Sequence, residues 1–360
     1  MKLLVAGIYP PDVGGPATYA ALLERELPKR GFEVAIAPFA TVRNLPPLVR
    51  HVAYFLRLLG ALGSADILFV QDTVSSGLPA VFAAWMAHKP LVLRIGGDYA
   101  WEQGTQRFGV KEGIEDFQEK FYGPRVECLR AVQKFVVRNA DVVIAPSHYL
   151  GEIVEKWMKK DSQVEVVYNG VELPLVVEEL QDRPGGALIV SAGRLVAWKG
   201  FDGLIAAVAE REDWTLVIVG DGPEREYLQK LAEETECNDR VIFTGNLPRE
   251  KMLGWCKAAD VFVLNSSYEG LSHLLIEVQS LGTPTIATAI GGNMEVVEDN
   301  KNGLLVSPGS HGELTAAIDD LVSDTELAER LGNAGKERMK DFSIDATMNS
   351  LVRILNMYAQ

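Results

Sequence analysis

Residues 266–295 have the sequence SSYEGLSHLLIEVQSLGTPTIATAIGGNME. Apolar residues recur in it at helical spacing, namely Leu271, Leu274, Leu275, Val278 and Leu281. Gly282 ends the predicted helix, and Pro284 follows at a position where a helix cannot continue. Short β-rich runs flank the helix at 261–264 and 285–289. The stretch therefore predicts a strand, a loop, a helix and a second strand, which is the repeating unit of a parallel α/β sheet.

Two glutamates lie at different positions along this unit. Glu269 lies in the loop before the predicted helix, and Glu277 lies inside the helix. The unpaired N–H groups at the start of a helix favour an anionic or polyhydroxyl ligand. We therefore predict a ligand site here, against the alternative of a first-turn glutamate and a second, solvated one.

The same α/β unit recurs along the whole chain of 360 residues, a length that suits two domains. Residues 172–186 have mixed character and end in Pro-Gly-Gly, which marks a linker. We predict an α/β fold with two domains at 1–175 and 187–340, each built on a parallel sheet. The first has a glycine loop after its first strand, with Gly14 and Gly15, but no G-x-G-x-x-G dinucleotide fingerprint.

Charge is distributed unevenly over the chain. Residues 1–185 carry 20 basic and 22 acidic side chains, a net charge of −2, and the remainder carries 15 and 27, a net charge of −12. An acidic chain is a poor nucleic-acid binder, so no nucleic-acid partner is expected. The sequence has neither a membrane-spanning apolar run nor a signal-peptide pattern, and its three cysteines form no disulfide framework. We expect a cytoplasmic location.

Residues 42–60, VRNLPPLVRHVAYFLRLLG, form a basic amphipathic segment. Arg43, Arg50 and Arg57 alternate with apolar side chains, which is typical of a helix lying on an anionic membrane surface. The alternative is an outer helix packed on an α/β domain, and the two roles are compatible. If the segment binds lipid, the protein is peripheral on the inner face of the cell membrane.

The first domain also has polar residues where a predicted strand, LVLRI, runs into GGDYAWE. Open α/β sheets bind ligands at the carboxyl ends of their strands. We therefore predict acceptor or sugar contacts from four residues, Arg94, Asp98, Trp101 and Glu102. The alternative is a simple glycine turn with a core tryptophan.

Two cations follow the first strand of the second domain, in the loop GRLVAWKG. Arg194 provides a planar fork for phosphate oxygens, and Lys199 provides a mobile point charge, so the pair suits a diphosphate. Glu277 can accept both hydroxyls of a ribose, and Glu269 can accept a sugar hydroxyl. No Asp-x-Asp pair and no His or Cys cluster occurs, so no metal and no other cofactor is predicted.

In these motifs, residues 187–320 resemble the retaining glycosyltransferases of family four. The family pattern has two glutamates separated by seven residues, here Glu269 and Glu277, after a glycine–arginine loop with a downstream lysine, here GRLVAWKG. A G-G-x-x-E turn follows, here GGNME. The first domain is more loosely similar, through its PPDVGGP loop and strand order.

The resemblance implies the GT-B type of architecture, in which two Rossmann-like domains face each other across a cleft. The first would bind the acceptor, the second a nucleotide-diphospho-sugar, and residues 343–360 would form a helix packing back on the first. The implied catalytic residues are Arg194, Lys199 and Glu269. The implied donor-binding residues are Gly14, Gly15, Gly193, Asn246, Leu247, Gly270, Leu271, Ser272, His273 and Glu277.

The implied reaction transfers a hexose, with retention of configuration, from a UDP- or GDP-sugar rather than an ADP-sugar. The acceptor would be a glycan or a lipid-linked molecule in cell-envelope polysaccharide or glycolipid synthesis. The chain departs from the family pattern at Arg94 and Asp98, where many relatives have a histidine, and at Gln279, where small or apolar residues are usual. The alternatives are a nucleotide-sugar epimerase and a non-catalytic sugar-nucleotide binding protein.

Overall fold

A computed structural model describes residues 1–12, 15–159, 162–172 and 177–358 of the chain. The chain forms two compact units, of which the first is Met1–Asn169 with Thr347–Gln360 and the second is Gly170–Ala346. Gly14, one of the predicted donor contacts, lies outside the described residues. Within the described part of the chain, no helix combines the length and hydropathy needed to cross a bilayer.

The first unit is built on a parallel sheet with the strand order β2-β1-β3-β4-β5-β6. Its strands are β1 Lys2–Gly7, β2 Glu33–Pro38, β3 Ile67–Val70, β4 Leu91–Arg94, β5 Val142–Ala145 and β6 Glu165–Val166. Its helices are α1 Gly15–Glu26, α2 Pro47–Leu62, α3 Gly77–Ala87, α4 Tyr99–Arg107, α5 Ile114–Phe117, α6 Pro124–Arg138 and α7 His148–Glu155. The chain moves from β1 to β2 on one side and then to β3 on the other, so strand order reverses between β1 and β3.

The second unit repeats this plan with the strand order β12-β11-β10-β7-β8-β9, again parallel. Its strands are β7 Ala187–Ala192, β8 Trp214–Val219, β9 Val241–Gly245, β10 Val261–Leu264, β11 Thr285–Thr288 and β12 Leu304–Val306. The remaining helices are α8 Phe201–Ala209, α9 Arg225–Glu234, α10 Arg249–Ala258, α11 His273–Ser280, α12 Asn293–Val296, α13 His311–Ser323, α14 Thr325–Arg338 and α15 Ile344–Met357. Two such sheets with interleaved helices confirm the predicted fold class.

The central strands are buried on both faces. Every residue of β3, β4, β5, β10 and β11 is buried, as their continuous apolar sequences predict for parallel strands covered by helices on both sides. In the second unit Ile189, Leu216 and Val263 belong to one core that also includes Leu204 and Ile318 of the covering helices. Burial of such side chains stabilises a fold by roughly 1.5–3 kcal/mol each relative to exposure.

The central helix of the quoted stretch is confirmed as α11. The Ser272 hydroxyl caps it by accepting a hydrogen bond from the Leu275 N–H at 3.2 Å, and Gly282 follows its end with φ +83°. Gln279, unusual for the family pattern, is fully buried in this helix. Its amide donates to Thr285 Oγ1 at 2.8 Å and to the Asn302 carbonyl at 2.9 Å, so it ties α11 to the strand and turn behind it.

Candidate active site

Glycines bring the carboxyl ends of two strands in the second unit together. Gly193 follows β7 with φ +149°, and an ideal Cβ on Gly220, after β8, would lie only 1.9 Å from the Gly193 carbonyl oxygen. Gly200 has φ +65°, and a Cβ there would lie 2.2 Å from the Asn265 carbonyl oxygen. The Asn265 amide also donates to the Gly200 carbonyl at 2.9 Å. The GRLVAWKG loop is therefore held against the end of β10, next to the loop that carries Glu269.

Lys199 and Glu269 form an ion pair across these two loops. The Ser266 hydroxyl donates to the same carboxylate at 2.9 Å. Only 20% of the Lys199 side chain and 13% of the Glu269 side chain is exposed, so the pair is partly shielded from water. An ammonium has three donors, which leaves Lys199 able to bind a second anionic group.

Arg194 has a different environment from Lys199. It is exposed, and among the described residues it makes no hydrogen bond and no ion pair. Its guanidinium can therefore meet an incoming anion without first breaking a contact. The predicted cation pair thus consists of one unpaired arginine and one lysine held by a predicted catalytic glutamate.

The GGNME turn supports the Glu269 loop directly. The Gly292 N–H donates to the Glu269 carbonyl at 3.0 Å, and an ideal Cβ on Gly292 would lie 2.1 Å from the Gly270 carbonyl oxygen. Asn293, at the start of α12, donates from its amide to the Thr288 carbonyl at 3.2 Å and anchors the turn to the end of β11. The GGNME turn, which is anchored to the end of β11, thus holds the backbone of the Glu269 loop in place.

Glu277 is paired with Arg249, which the sequence analysis did not identify. Nη2 and Nε of Arg249 donate to the same carboxylate oxygen of Glu277, at 2.9 and 3.2 Å. Nη2 also donates to the Glu172 carbonyl at 2.8 Å. Arg249 could have been suspected from the sequence because it stands at the start of α10, three residues after Asn246. Nothing in the sequence, however, indicated that it lies close to Glu277.

The remaining donor-binding candidates lie on loops or at the start of helices, at the same edge of their sheets. In the second unit Asn246 and His273 are exposed, and Leu247, Gly270 and Leu271 are partly buried. In the first unit Gly15 is the exposed first residue of α1, and an ideal Cβ there would meet nothing within 4 Å.

In the first unit, Asp98 is buried and serves the fold. Its carboxylate caps α4 by accepting from the Trp101 N–H at 3.0 Å, and it accepts from the amides of Gln118 at 2.8 Å and Gln133 at 3.0 Å. The Trp101 indole N–H donates to the Glu112 carbonyl at 3.0 Å. These contacts involve the polar groups of Asp98 and Trp101, for both of which we predicted contacts to the acceptor or the sugar.

Glu102 lies in the first turn of α4, and its carboxyl reaches Gly97, where an ideal Cβ would be 2.5 Å from Oε1. Burial of the carboxyl, and secondarily the neighbouring Asp98 carboxylate, raise the pKa of Glu102. Arg94 ends β4 and is buried, with its guanidinium 3.9 Å from the centre of the Tyr19 ring.

Two protein families match the chain, and the two matched ranges together cover most of its length. "Glycosyltransferase Family 4" matches residues 13–174, and "Glycosyl transferases group 1" matches residues 177–338. The second range holds the loops that carry Arg194, Lys199, Glu269 and Glu277. The chain belongs to the family-four glycosyltransferases.

Two curated relatives of this family-four chain come from Rhizobium meliloti. Lipopolysaccharide core biosynthesis glycosyltransferase LpsD is 41% identical over 167 residues, which are 46% of this chain and 48% of LpsD. The glycosyltransferase LpsE, of the same description, is 33% identical over 223 residues, 61% of this chain and 65% of LpsE. The chain thus spans about half to two thirds of the length of these relatives.

A solved structure extends the similarity of fold to the whole chain. HepE of Anabaena, in complex with UDP, superposes with a TM-score of 0.76 and 19% identity, covering 99% of this chain and 100% of HepE. At 19% identity, this similarity shows a shared fold and no more. The family-four chain therefore has the two-Rossmann fold of that protein.

Proposed function

We propose that this chain is a retaining hexosyltransferase that moves a hexose from a nucleotide-diphospho-sugar to a glycan or lipid-linked acceptor. The observation that carries the proposal is the Lys199–Glu269 ion pair beside the unpaired Arg194. This arrangement offers two cations for a diphosphate and one carboxylate for a sugar hydroxyl, on adjoining loops. The proposed setting is the synthesis of cell-envelope polysaccharide or glycolipid.

In the proposed reaction, the bond between the anomeric carbon and the donor phosphate breaks, and a bond from the acceptor oxygen to that carbon forms on the same face. The acceptor hydroxyl gives its proton to the departing phosphate. Arg194 and Lys199 stabilise the negative charge that develops on the leaving diphosphate. Glu269 accepts a hydrogen bond from the sugar, and Glu277, positioned by Arg249, accepts from the ribose. The residues perform these roles without a metal or other cofactor.

The relatives support this setting and favour a UDP-sugar as the first donor to test. LpsD and LpsE are named as enzymes of lipopolysaccharide core biosynthesis. Solved structures of HepE contain UDP and UDP-glucose. We accordingly rank UDP-hexoses first, GDP-hexoses second and ADP-hexoses last.

The test measures release of nucleotide diphosphate from UDP-, GDP- and ADP-hexoses, with and without glycan and lipid-linked acceptors. We expect acceptor-dependent release, and a loss of at least about a hundredfold in turnover in Arg194→Ala and in Lys199→Ala, the scale of losing one electrostatic stabiliser. Lys230→Ala is the matched control, because that lysine is 73% exposed on α9 and pairs with Glu234, one turn away on the same helix.

Three results would contradict the proposal. Near-normal turnover in both variants, with unchanged circular dichroism, would remove the diphosphate assignment. An altered nucleotide sugar formed without acceptor would indicate an epimerase. Donor binding without turnover under any condition would indicate a binding protein.

We also propose that the chain works at the inner face of the cell membrane, through an apolar surface on the first unit. This surface, the α2–α3 face, consists of Leu48, Val49, Val52 and Leu56 on α2 and Phe82, Trp85 and Met86 on α3, all exposed. The predicted segment 42–60 provides its first half, since α2 runs from Pro47 to Leu62. The helices α2 and α3 pack side by side, and the proposed surface spans both.

A further inference from the structure

Arg94 is a buried cation, and no carboxylate of the described ranges is paired with it. It ends β4, and only 3% of its surface is exposed. Its Nη2 donates to the Asn169 side-chain oxygen, while its Nε is buried and has no hydrogen-bond partner among the described residues. The Tyr19 ring covers one face of the guanidinium at 3.9 Å. Since an arginine keeps its charge in proteins, burying it without an anion is strongly unfavourable.

Other polar atoms without a hydrogen-bond partner in the described part of the chain lie at the end of the neighbouring strand and on the tyrosine that covers the guanidinium. Strands β3 and β4 pair with Val70 opposite Leu93, so the next residues in register are Gln71 and Arg94. Gln71 is 3% exposed, and neither atom of its amide has a hydrogen-bond partner among the described residues. The Tyr19 hydroxyl is likewise buried and makes no hydrogen bond of normal geometry within the described part of the chain, although it interacts electrostatically with Arg94. Buried polar groups are nearly always hydrogen-bonded, so three neighbouring exceptions require an explanation.

The position of this cluster points to a ligand. Gln71 follows β3 and Arg94 ends β4, at the carboxyl edge of the sheet. The order of the strands reverses between β1 and β3, and open α/β sheets bind ligands at that point. Gly7 ends β1 there with φ +140°, and its lack of a side chain leaves room next to Gln71.

We propose that Arg94, with Gln71 and Tyr19, binds an anionic oxygen group, a phosphate or a carboxylate, carried by the acceptor. Guanidinium, amide and phenol N–H and O–H groups are all donors that suit an oxyanion, and a guanidinium can hold one with two parallel hydrogen bonds. The proposal rests on the proposed function, in which the first unit takes the acceptor. It adds that the acceptor is charged, and it makes Arg94 a specificity-determining residue.

The test compares acceptors that differ in one charge: a hexose 6-phosphate, a methyl hexuronide and the corresponding methyl hexoside. The wild-type chain should show a KM at least about tenfold lower for one charged acceptor than for the neutral one, the effect of about 1.4 kcal/mol. A lower KM for the phosphate alone or for the uronide alone identifies the source of the anion. Arg94→Met should abolish this preference by raising the KM for the charged acceptor, while the KM for the neutral methyl hexoside stays the same.

Two further variants separate recognition from folding. Tyr19→Phe and Gln71→Met remove unpartnered polar atoms, so a purely structural role predicts an equal or higher melting temperature and an unchanged KM. We expect the melting temperature to hold or rise while the KM for the charged acceptor rises at least about threefold. These variants decide the matter if Arg94→Met does not fold.

Equal KM values for charged and neutral acceptors in the wild-type chain would overturn the proposal, as would a rise in both in the Arg94→Met variant. Binding can also be measured without turnover, by thermal shift with inorganic phosphate and with methyl hexuronide. A shift in the wild-type chain that is lost in Tyr19→Phe and Gln71→Met, in a chain that never turns over a donor, would support the anion site and reject the proposed function.

Discussion

At the scale of single residues, Gly292 lies against the backbone of the Glu269 loop with no room for a side chain. A Cβ at this position would lie 2.1 Å from the Gly270 carbonyl oxygen and 2.7 Å from the Leu271 Cα, both backbone atoms of the Glu269 loop. We predict that Gly292→Ala displaces this loop, destabilises the second unit by about 1–3 kcal/mol and lowers turnover at least about tenfold. Urea unfolding and nucleotide release measure the two effects.

Gly312→Ala is the control for that substitution. An ideal Cβ on Gly312 meets nothing within 4 Å, and the residue lies in α13, where alanine is the better helix former. It should keep full turnover and be as stable as the wild-type chain or more so. If Gly292→Ala behaved in the same way, close packing of the GGNME turn would not position Glu269.

Single residues also show which features of the candidate site could be predicted from the sequence and which could not. The types and order of Arg194, Lys199, Glu269 and Glu277 were enough to nominate them. That Lys199 contacts Glu269, 70 residues later in the chain, could not be foreseen, since sequence gives no distances between loops. Arg249 was missed for the same reason, and Gln279 acquired an explanation only when Thr285 and Asn302 were seen around it.

At the scale of elements, periodicity was sufficient to predict α11 and the buried strands, because both patterns are local. The start of α4 was not predictable in this way. Asp98 had the character of an acceptor contact because it follows a strand, yet its carboxylate caps a helix and holds two glutamine side chains from distant parts of the unit. A polar residue after a strand can serve either role, and only its neighbours distinguish them.

The cap yields a prediction about stability. Asp98→Ala removes the N-cap of α4 and leaves the buried Gln133 amide without the acceptor of its N–H group, so we expect a loss of about 2–4 kcal/mol in the free energy of unfolding. Glu102→Gln, one turn further on, is the control. Because the folded-state pKa of Glu102 is raised, its charge opposes folding as pH rises through that pKa, and removing the charge should not destabilise the unit at pH 7. A small loss in Asp98→Ala would argue for a ligand role instead.

At the scale of the whole molecule, acidic side chains are missing from one surface. The chain has 49 acidic residues, yet α2, of 16 residues, and α3, of 11, contain none. Two of the three arginines that were predicted to face the membrane make contacts within the protein. Arg43 is paired with Asp12, and Arg50 lies 5.9 Å from the centre of the Phe39 ring. Arg57 is an exposed basic residue of α2, and His88 and Lys89 follow the end of α3.

We predict salt-sensitive binding of the α2–α3 face to vesicles containing phosphatidylglycerol, and none to vesicles of phosphatidylcholine alone. Leu48 is 83% exposed and Trp85 is 49% exposed, which provides apolar side chains for the interface, and each free basic group near an anionic surface contributes about 1 kcal/mol. Val52→Ser with Trp85→Ser should reduce cosedimentation strongly. Tyr227→Ser, at a 53% exposed residue of the second unit, should not.

The two arginines separate charge attraction from simple exposure of apolar side chains. Reversing Arg57 removes a group that makes no ion pair with any residue that the structure describes, whereas reversing Arg43 mainly breaks its contact with Asp12. Arg57→Glu should therefore weaken binding to anionic vesicles more than Arg43→Glu does, and the difference should shrink as added salt shortens the Debye length below about 10 Å. Equal effects of the two reversals, or equal binding to neutral vesicles, would mean that lipid charge does not orient the molecule. A soluble glycan would then be the better candidate for the acceptor.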